Sequence, residues 1–218
     1  ALDGRKQPCE VRTSNPGHCL FSGIANREQA RQVADMLVGE NSFSGWGVRT
    51  VASSEARYNP MSYHNGSVWP HDNALVAAGL SRYGFKEYAN RIFSALFDAS
   101  SFFEFRRLPE LFCGFSRREG EGPVPYPVAC SPQSWAAGAV FLLLQASLGL
   151  TIDATSSTVR MKQPLLPAFL DEVRLRKLRV GEALLDLSVQ RRGRTVGVQI
   201  ESQAGTAYVT VEPESRHG

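Results

Sequence analysis

Residues 44–73 read SGWGVRTVASSEARYNPMSYHNGSVWPHDN. This stretch holds two of the chain's three tryptophans and two of its four histidines, set among glycines and prolines. No helical or strand period persists from 40 to 66. A structureless connection longer than about 12–15 residues inside a compact domain is usually functional or disordered, and a segment this aromatic is too sticky for disorder. We read it as an ordered loop. Flat rings beside amides, imidazoles and a guanidinium suit a wall that binds hydroxyl-rich rings, the rings covering C–H surfaces and the polar groups reading hydroxyls.

Helical patterns flank this loop. Upstream, Asn26 and Gln29 form a capping box ahead of an apolar face of Ala30, Val33, Ala34 and Leu37, with Gly39 at the end. Downstream, Pro70 and Asp72 suit a first helical turn, Leu75, Val76, Gly79, Leu80 and Tyr83 make the stripe, and Gly84 ends it. A third helix spans about 86–99 around Ile92, Phe93, Leu96 and Phe97, forming a hairpin with the second. A second long irregular segment, 100–130, leads to the strongest helical signal. Ser131 is the expected N-cap and Pro132 the first helical residue, and 135–144 is apolar on every side, which predicts burial all round.

The period then changes. Leu185, Leu187 and Val189 alternate with polar residues, as do Val196, Val198 and Ile200, joined by a turn at Arg192–Gly193; Val209 and Val211 repeat the pattern. The expected organisation is a mainly α region over 1–161, followed over 162–218 by a Pro-containing linker (162–170) and a small antiparallel β unit. Asn15-Pro16-Gly17 reads as a turn, and His18 after it as either a loop-edge substrate contact or a ring bonded to backbone.

Composition excludes several classes. At 218 residues and 43% hydrophobic the chain can bury a real core. A net charge of +3 is too slight to argue for nucleic acid. The late basic cluster (Arg174, Arg176, Lys177, Arg179, Arg191, Arg192, Arg194) has no interleaved aromatics, so it reads as a solvated face. No apolar run reaches about 18 residues and no signal peptide is legible, so a cytoplasmic protein without a membrane span is expected. Cys9, Cys19, Cys113 and Cys130 lack zinc spacing and read as free thiols, with a Cys113–Cys130 bridge as the alternative. Neither a metal nor a cofactor is implied.

Among carboxylates, Glu110 in RRLPELF (106–112) has the setting of a functional group: Leu108, Leu111 and Phe112 lower the local dielectric while Arg106 and Arg107 hold charge. A salt bridge to those arginines is the plain alternative. Asp72 reads as a complement to its helix dipole. There is no G-x-S-x-G and no phosphate loop.

Three blocks carry a family resemblance: 63–73 (YHNGSVWPHDN), 108–115 (LPELFCGF) and 126–138 (YPVACSPQSWAAG). Together they resemble bacterial glycogen-debranching-type proteins, the amylo-α-1,6-glucosidase-like group of inverting glycosidases. The resemblance covers 1 to about 150. It implies part of an (α/α)6 barrel of the six-hairpin glycosidase type, acting on α-linked oligosaccharides or glucans. It places Glu110 as catalytic base, lines the sugar subsites with Trp46, Arg49, His64, Asn65, Trp69 and Trp135, and makes Gln133 and Asn73 hydroxyl readers. It further implies that the general acid precedes Ala1, that the remaining barrel comes from the parent protein, and that this piece alone is inactive. Two other readings stay open: a carbohydrate-binding protein with a degenerate site, and a sugar epimerase or lyase on the same scaffold, for which His18, His64 and Arg49 are the relevant residues.

Overall fold

The computed structural model describes residues 2–193 and 195–213, so Arg194 of the basic cluster lies outside the described residues. These residues form five helices: α1 (Pro16–Ser22), α2 (Arg27–Val38), α3 (Pro70–Arg82), α4 (Lys86–Ser100) and α5 (Ser134–Leu148). Six strands follow: β1 (Leu150–Asp153), β2 (Thr158–Lys162), β3 (Glu172–Val180), β4 (Ala183–Arg192), β5 (Thr195–Ala204) and β6 (Tyr208–Glu212). No helix among the described residues is long and apolar enough to cross a membrane.

Local chemistry explains the helices with clear signals. Asn26 Oδ1 accepts from the Gln29 amide at 2.8 Å and Gln29 Oε1 accepts from the Asn26 amide at 3.1 Å, closing the box that starts α2. Such a cap contributes about 1 kcal/mol. Gly84, at φ +87, turns the chain between α3 and α4. The buried face of α3 is wider than a stripe, taking in Asp72, Asn73, Ala74 and Ala77 as well as Val76, Gly79 and Leu80.

The turn expected at Asn15-Pro16-Gly17 is instead the start of α1, with Pro16 in its first turn. Seven residues are too few to display a period; α1 exists because it packs on α3, not because of its own pattern. That contact is close. A Cβ on Gly79 would stand 2.6 Å from the Phe21 nitrogen and 2.9 Å from the Gly17 carbonyl oxygen.

Two features of α5 differ from expectation. The helix begins at Ser134, beyond a cis Ser131–Pro132 bond, and its cap is Gln133, whose Oε1 accepts from the Ser134 amide at 3.0 Å. Burial is one-sided: Ala136, Ala139, Leu143 and Ala146 are inside, while Trp135 is 47% and Phe141 75% exposed. No described element packs over that outer face, so its apolar residues meet solvent. Helices α3 and α5 run parallel. Trp69 meets Trp135 edge-on at their N-terminal ends, with ring centres 6.2 Å apart, and Ser81 Oγ donates to the Ala146 carbonyl at 2.7 Å near their C-terminal ends.

The β region is two sheets rather than one antiparallel unit. β3-β4-β5 is the expected meander, with Gly193 in the β4–β5 turn. β6, carrying Val209 and Val211, crosses to pair in parallel with β2, which pairs antiparallel with β1. β1 and all but the last residue of β2 thus fall inside the stretch 1–161 that the sequence pattern assigns to the α region. A second core of Leu148, Val159, Met161, Leu166, Leu185, Leu187 and Val189 lies between the sheets and the end of α5. The stretch 162–170 is packed. The Leu165 amide donates to the Ser147 carbonyl at 3.0 Å, Asn90 Nδ2 and Ser147 Oγ both donate to the Leu165 carbonyl, and Phe169 stacks on Phe97.

The α1–α3 contact generates a test. Alanine in a helix interior normally gains roughly 0.5–1 kcal/mol over glycine, but the Cβ of Gly79→Ala would press on the α1 main chain, and overpacking costs about 1–3 kcal/mol. A net loss of stability in urea denaturation is expected. A stabilised variant would show that α1 is not docked this tightly.

Candidate active site

The two long loops meet through backbone. Val68 and Phe112 exchange hydrogen bonds, the Val68 amide to the Phe112 carbonyl at 2.9 Å and the reverse at 3.0 Å. Arg49 bridges Val68 on one side, and Pro125 bridges Phe112 on the other. Gly114 lies so close to Gly66 that a Cβ would stand 1.7 Å from the Gly66 carbonyl oxygen. No side chain fits on Gly114 there.

This pairing brings Glu110 to the aromatic wall. The residue is 7% exposed. Its Oε1 accepts from the Tyr63 hydroxyl at 2.6 Å, and its Oε2 accepts from the Cys130 amide at 3.2 Å. Tyr63 meets Trp69, His64 and Tyr126 edge-on at centroid distances of 4.8, 4.7 and 5.5 Å. The hydrogen bond donated by the Tyr63 phenol, with the Cys130 amide behind it, holds the Glu110 carboxyl below its ordinary value. The same bond pushes the phenol up to about 12. Glu110 is therefore an ionised acceptor at neutral pH. The salt bridge to Arg106 or Arg107 that its sequence also allowed is not formed.

His64 and Asn65 lie beside this group, with His64 parallel to Trp69 at 5.9 Å. Trp69 caps α3, and its Nε1 donates to Ser67 Oγ at 2.9 Å. Trp135 at the start of α5 stacks on His71 at 4.0 Å. Gln133 approaches Glu110 while capping α5. So Glu110, His64, Trp69, Gln133 and Trp135 gather at the N-terminal ends of the two parallel helices, while Asn65, next to His64, is exposed and bonded through its backbone to Ser62 and Asn59.

Three expected contacts fall elsewhere. Arg49 is 1% exposed, and its guanidinium donates to the carbonyls of Gly114, Glu40 and Asn41 and to Ser116 Oγ. It clamps the loops instead of reading substrate, because a buried guanidinium must satisfy its donors internally. Asn73 is fully buried; it accepts from the Val48 amide at 2.7 Å and donates to the Val48 and Trp69 carbonyls. Trp46 is buried under Phe102 and Arg117, and it floors a separate small pocket with Phe115 and Val124.

Sequence reasoning passes over Tyr63, Tyr126 and His71 as site residues. All three stand in the motif blocks, but only the fold reveals which ring reaches a carboxylate. His18 has a partner that neither of its sequence readings names: its Nε2 lies 2.6 Å from Asp72 Oδ1, which raises the imidazole pKa. Burial lowers that of His71. Asp72 Oδ2 and His71 Nδ1 are buried without a protein partner. Among the described residues no three His, Cys, Asp or Glu side chains converge in metal-ligating fashion, and all four cysteines are free.

Known proteins show what these helices and loops are similar to. Residues 2–104 match the family model described as "Mannosylglycerate hydrolase MGH1-like glycoside hydrolase domain". The match covers just under half of the chain and makes this stretch similar to that domain; Glu110 and α5 lie beyond it. Mannosylglycerate hydrolases MGH1 and MGH2 of Selaginella moellendorffii are each 33% identical over 73 residues, covering 34% of this chain and 15% of the relative. The match thus spans less than a sixth of those proteins. Among solved structures, the GH63 mannosylglycerate hydrolase of Thermus thermophilus in complex with glucose overlaps 64% of this chain and 32% of its own, at 24% identity and a TM-score of 0.45. Its complex with Tris and D-glycerate overlaps at 23% identity, covering 64% and 31%, with a TM-score of 0.47. None of these proteins is an amylo-α-1,6-glucosidase, so that narrower likeness finds no support among them.

Two substitutions test the geometry. Tyr63→Phe removes the donor that favours the charged carboxyl, so the Glu110 pKa must rise, read by carboxyl NMR titration. Because the folded-state pKa of Glu110 lies below its unfolded value of about 4.3, the bond stabilises above that pH and the benefit is lost as pH falls through the folded value. The stability gap between wild type and variant should close in acid. An unmoved pKa would mean that the phenol does not hold Glu110. Arg49→Lys keeps the charge and loses the fork; stranding buried acceptors should cost about 3 kcal/mol in chemical denaturation, and a near-neutral effect would remove the clamp.

Proposed function

We propose that this chain carries the base side of an inverting glycoside hydrolase site, on part of an (α/α)6 barrel whose other helices and general acid come from the rest of the parent protein. One observation supports this above the others: Glu110 is kept ionised by a phenol and a backbone amide beside stacked aromatic rings. A general base must be deprotonated at working pH and within reach of a water. In this reading Glu110 takes a proton from a water as the oxygen attacks the anomeric carbon. The glycosidic bond breaks on the far side, and its oxygen receives a proton from a second carboxyl roughly 6.5–9.5 Å away. Asp72 is a poor candidate for that acid, since it is buried against His18. Trp135 and His64 are the open surfaces on which a sugar ring would lie, backed by the buried Trp69, with Asn65 and Gln133 as polar contacts. The apolar outer face of α5, with Phe141 and Val140, is the surface a neighbouring barrel helix would cover.

For substrate, the relatives' names favour a small glycoside of the mannosylglycerate type, and α-glucosides or α-glucans are the second choice. Anomer-resolved NMR of the full-length parent with mannosylglycerate, maltose and isomaltose separates them. The expected first product is the inverted anomer. Glu110→Gln should lower turnover by about 10³-fold or more, and the isolated chain should turn over none of these substrates. Wild-type turnover in that variant would remove Glu110 from the mechanism, and a retained anomer would overturn the inverting reading.

A further inference from the structure

At the opposite end of α3 and α5 from Glu110 lies a pocket of about 390 Å³. Among the described residues four cations line it, Arg82, Lys86, Arg160 and Lys162, and no aspartate or glutamate does. Helix capping accounts for two of them. Arg82 donates to the Phe21 carbonyl at 3.2 Å, and Lys86 Nζ donates to the Ala146 carbonyl at 2.8 Å, at the negative ends of α1 and α5. Capping does not account for β2. There Val159 and Met161 turn into the second core, so Arg160 and Lys162 face the other way, toward the pocket. Of these two, Arg160 is partly offset by Glu212 at 3.5 Å. Lys86 is buried, and burial first, then the nearby Lys162, pushes its pKa down to about 8. A solvated basic face would be convex and would let such groups separate; here they converge in a hollow whose remaining wall includes Phe21, Leu142 and Leu150.

We propose that this pocket is a second small-molecule site, for a phosphate monoester on a small polyol or sugar body. A dianion matches the surplus of cations better than a single carboxylate, the guanidinium forks fit phosphate oxygens, and the apolar wall takes the C–H surface of the body. Thirteen residues of α3 at about 1.5 Å each put this site some 20 Å from the Trp69 end. A ligand here does not compete for the Glu110 site, and the proposal stands independently of the hydrolase reading.

The test is calorimetric titration of the chain at constant ionic strength with glucose 6-phosphate, glucose and inorganic phosphate. Glucose 6-phosphate should bind one to one, with Kd about 1 mM or tighter, and glucose should not bind. The double variant Arg160→Gln/Lys162→Gln changes only exposed strand residues, and its fold is checked by circular dichroism; it should weaken binding about tenfold or more. Glu110→Gln should leave binding unchanged. Absence of saturation, retained affinity in the double variant, or loss on Glu110→Gln would each overturn the assignment. Inorganic phosphate binding as tightly as the sugar phosphate would overturn the polyol part and leave a bare anion site.

Discussion

Two hydrogen bonds exchanged between Val68 and Phe112 hold together what lies 44 residues apart in the chain. Each loop alone is irregular and supplies no element to pack. Joined at that pair, and tied by Arg49 to the Gly114 carbonyl and Ser116, they become one rigid wall with Tyr63 on one loop and Glu110 on the other. The glycine contact between 66 and 114 is a condition of the same joint, because any Cβ on Gly114 would push the loops apart. Loop closure costs entropy that grows slowly with length, so a few well-placed bonds can hold long segments once the helices have docked.

The parallel run of α3 and α5 polarises this part of the molecule. Both N-terminal ends, where unpaired amides carry partial positive charge, lie beside the Glu110 group. Both C-terminal ends lie beside Arg82 and Lys86. The carboxylate and the cations each sit at the end that suits their charge. His18 with Asp72 adds a link at the anionic end, fastening α1 to the first turn of α3.

The β region is joined to this frame by contacts, not only by covalent linkage. Leu148 at the end of α5 belongs to the second core, and the strap through Leu165 is bonded to Ser147 and Asn90. Arg191 reinforces it by donating to the carbonyls of Leu166, Pro167 and Leu170. The strap therefore fixes where β2 presents Arg160 and Lys162, so the basic pocket depends on both halves of the chain.

What was legible in the residues was local. The capping box at Asn26 and Gln29, the stop at Gly84, the alternation from Leu185 to Ile200 and the suspicion attached to Glu110 all rest on chemistry within a few positions. What was illegible was long-range. Pro16–Ser22 is a helix only because Val76 and Gly79 receive it; β6 leaves its meander because Val209 finds Val159; Arg49 and Asn73 look like sugar contacts until burial commits their polar atoms to the backbone. The sequence by itself determined the helices with strong caps or periods, the strand alternation and the residue types of a sugar-binding wall. The tertiary structure alone decided which ring reaches Glu110 and which cations converge, because such groups are brought together by packing and backbone pairing between distant segments, and neither leaves a periodic mark on the chain.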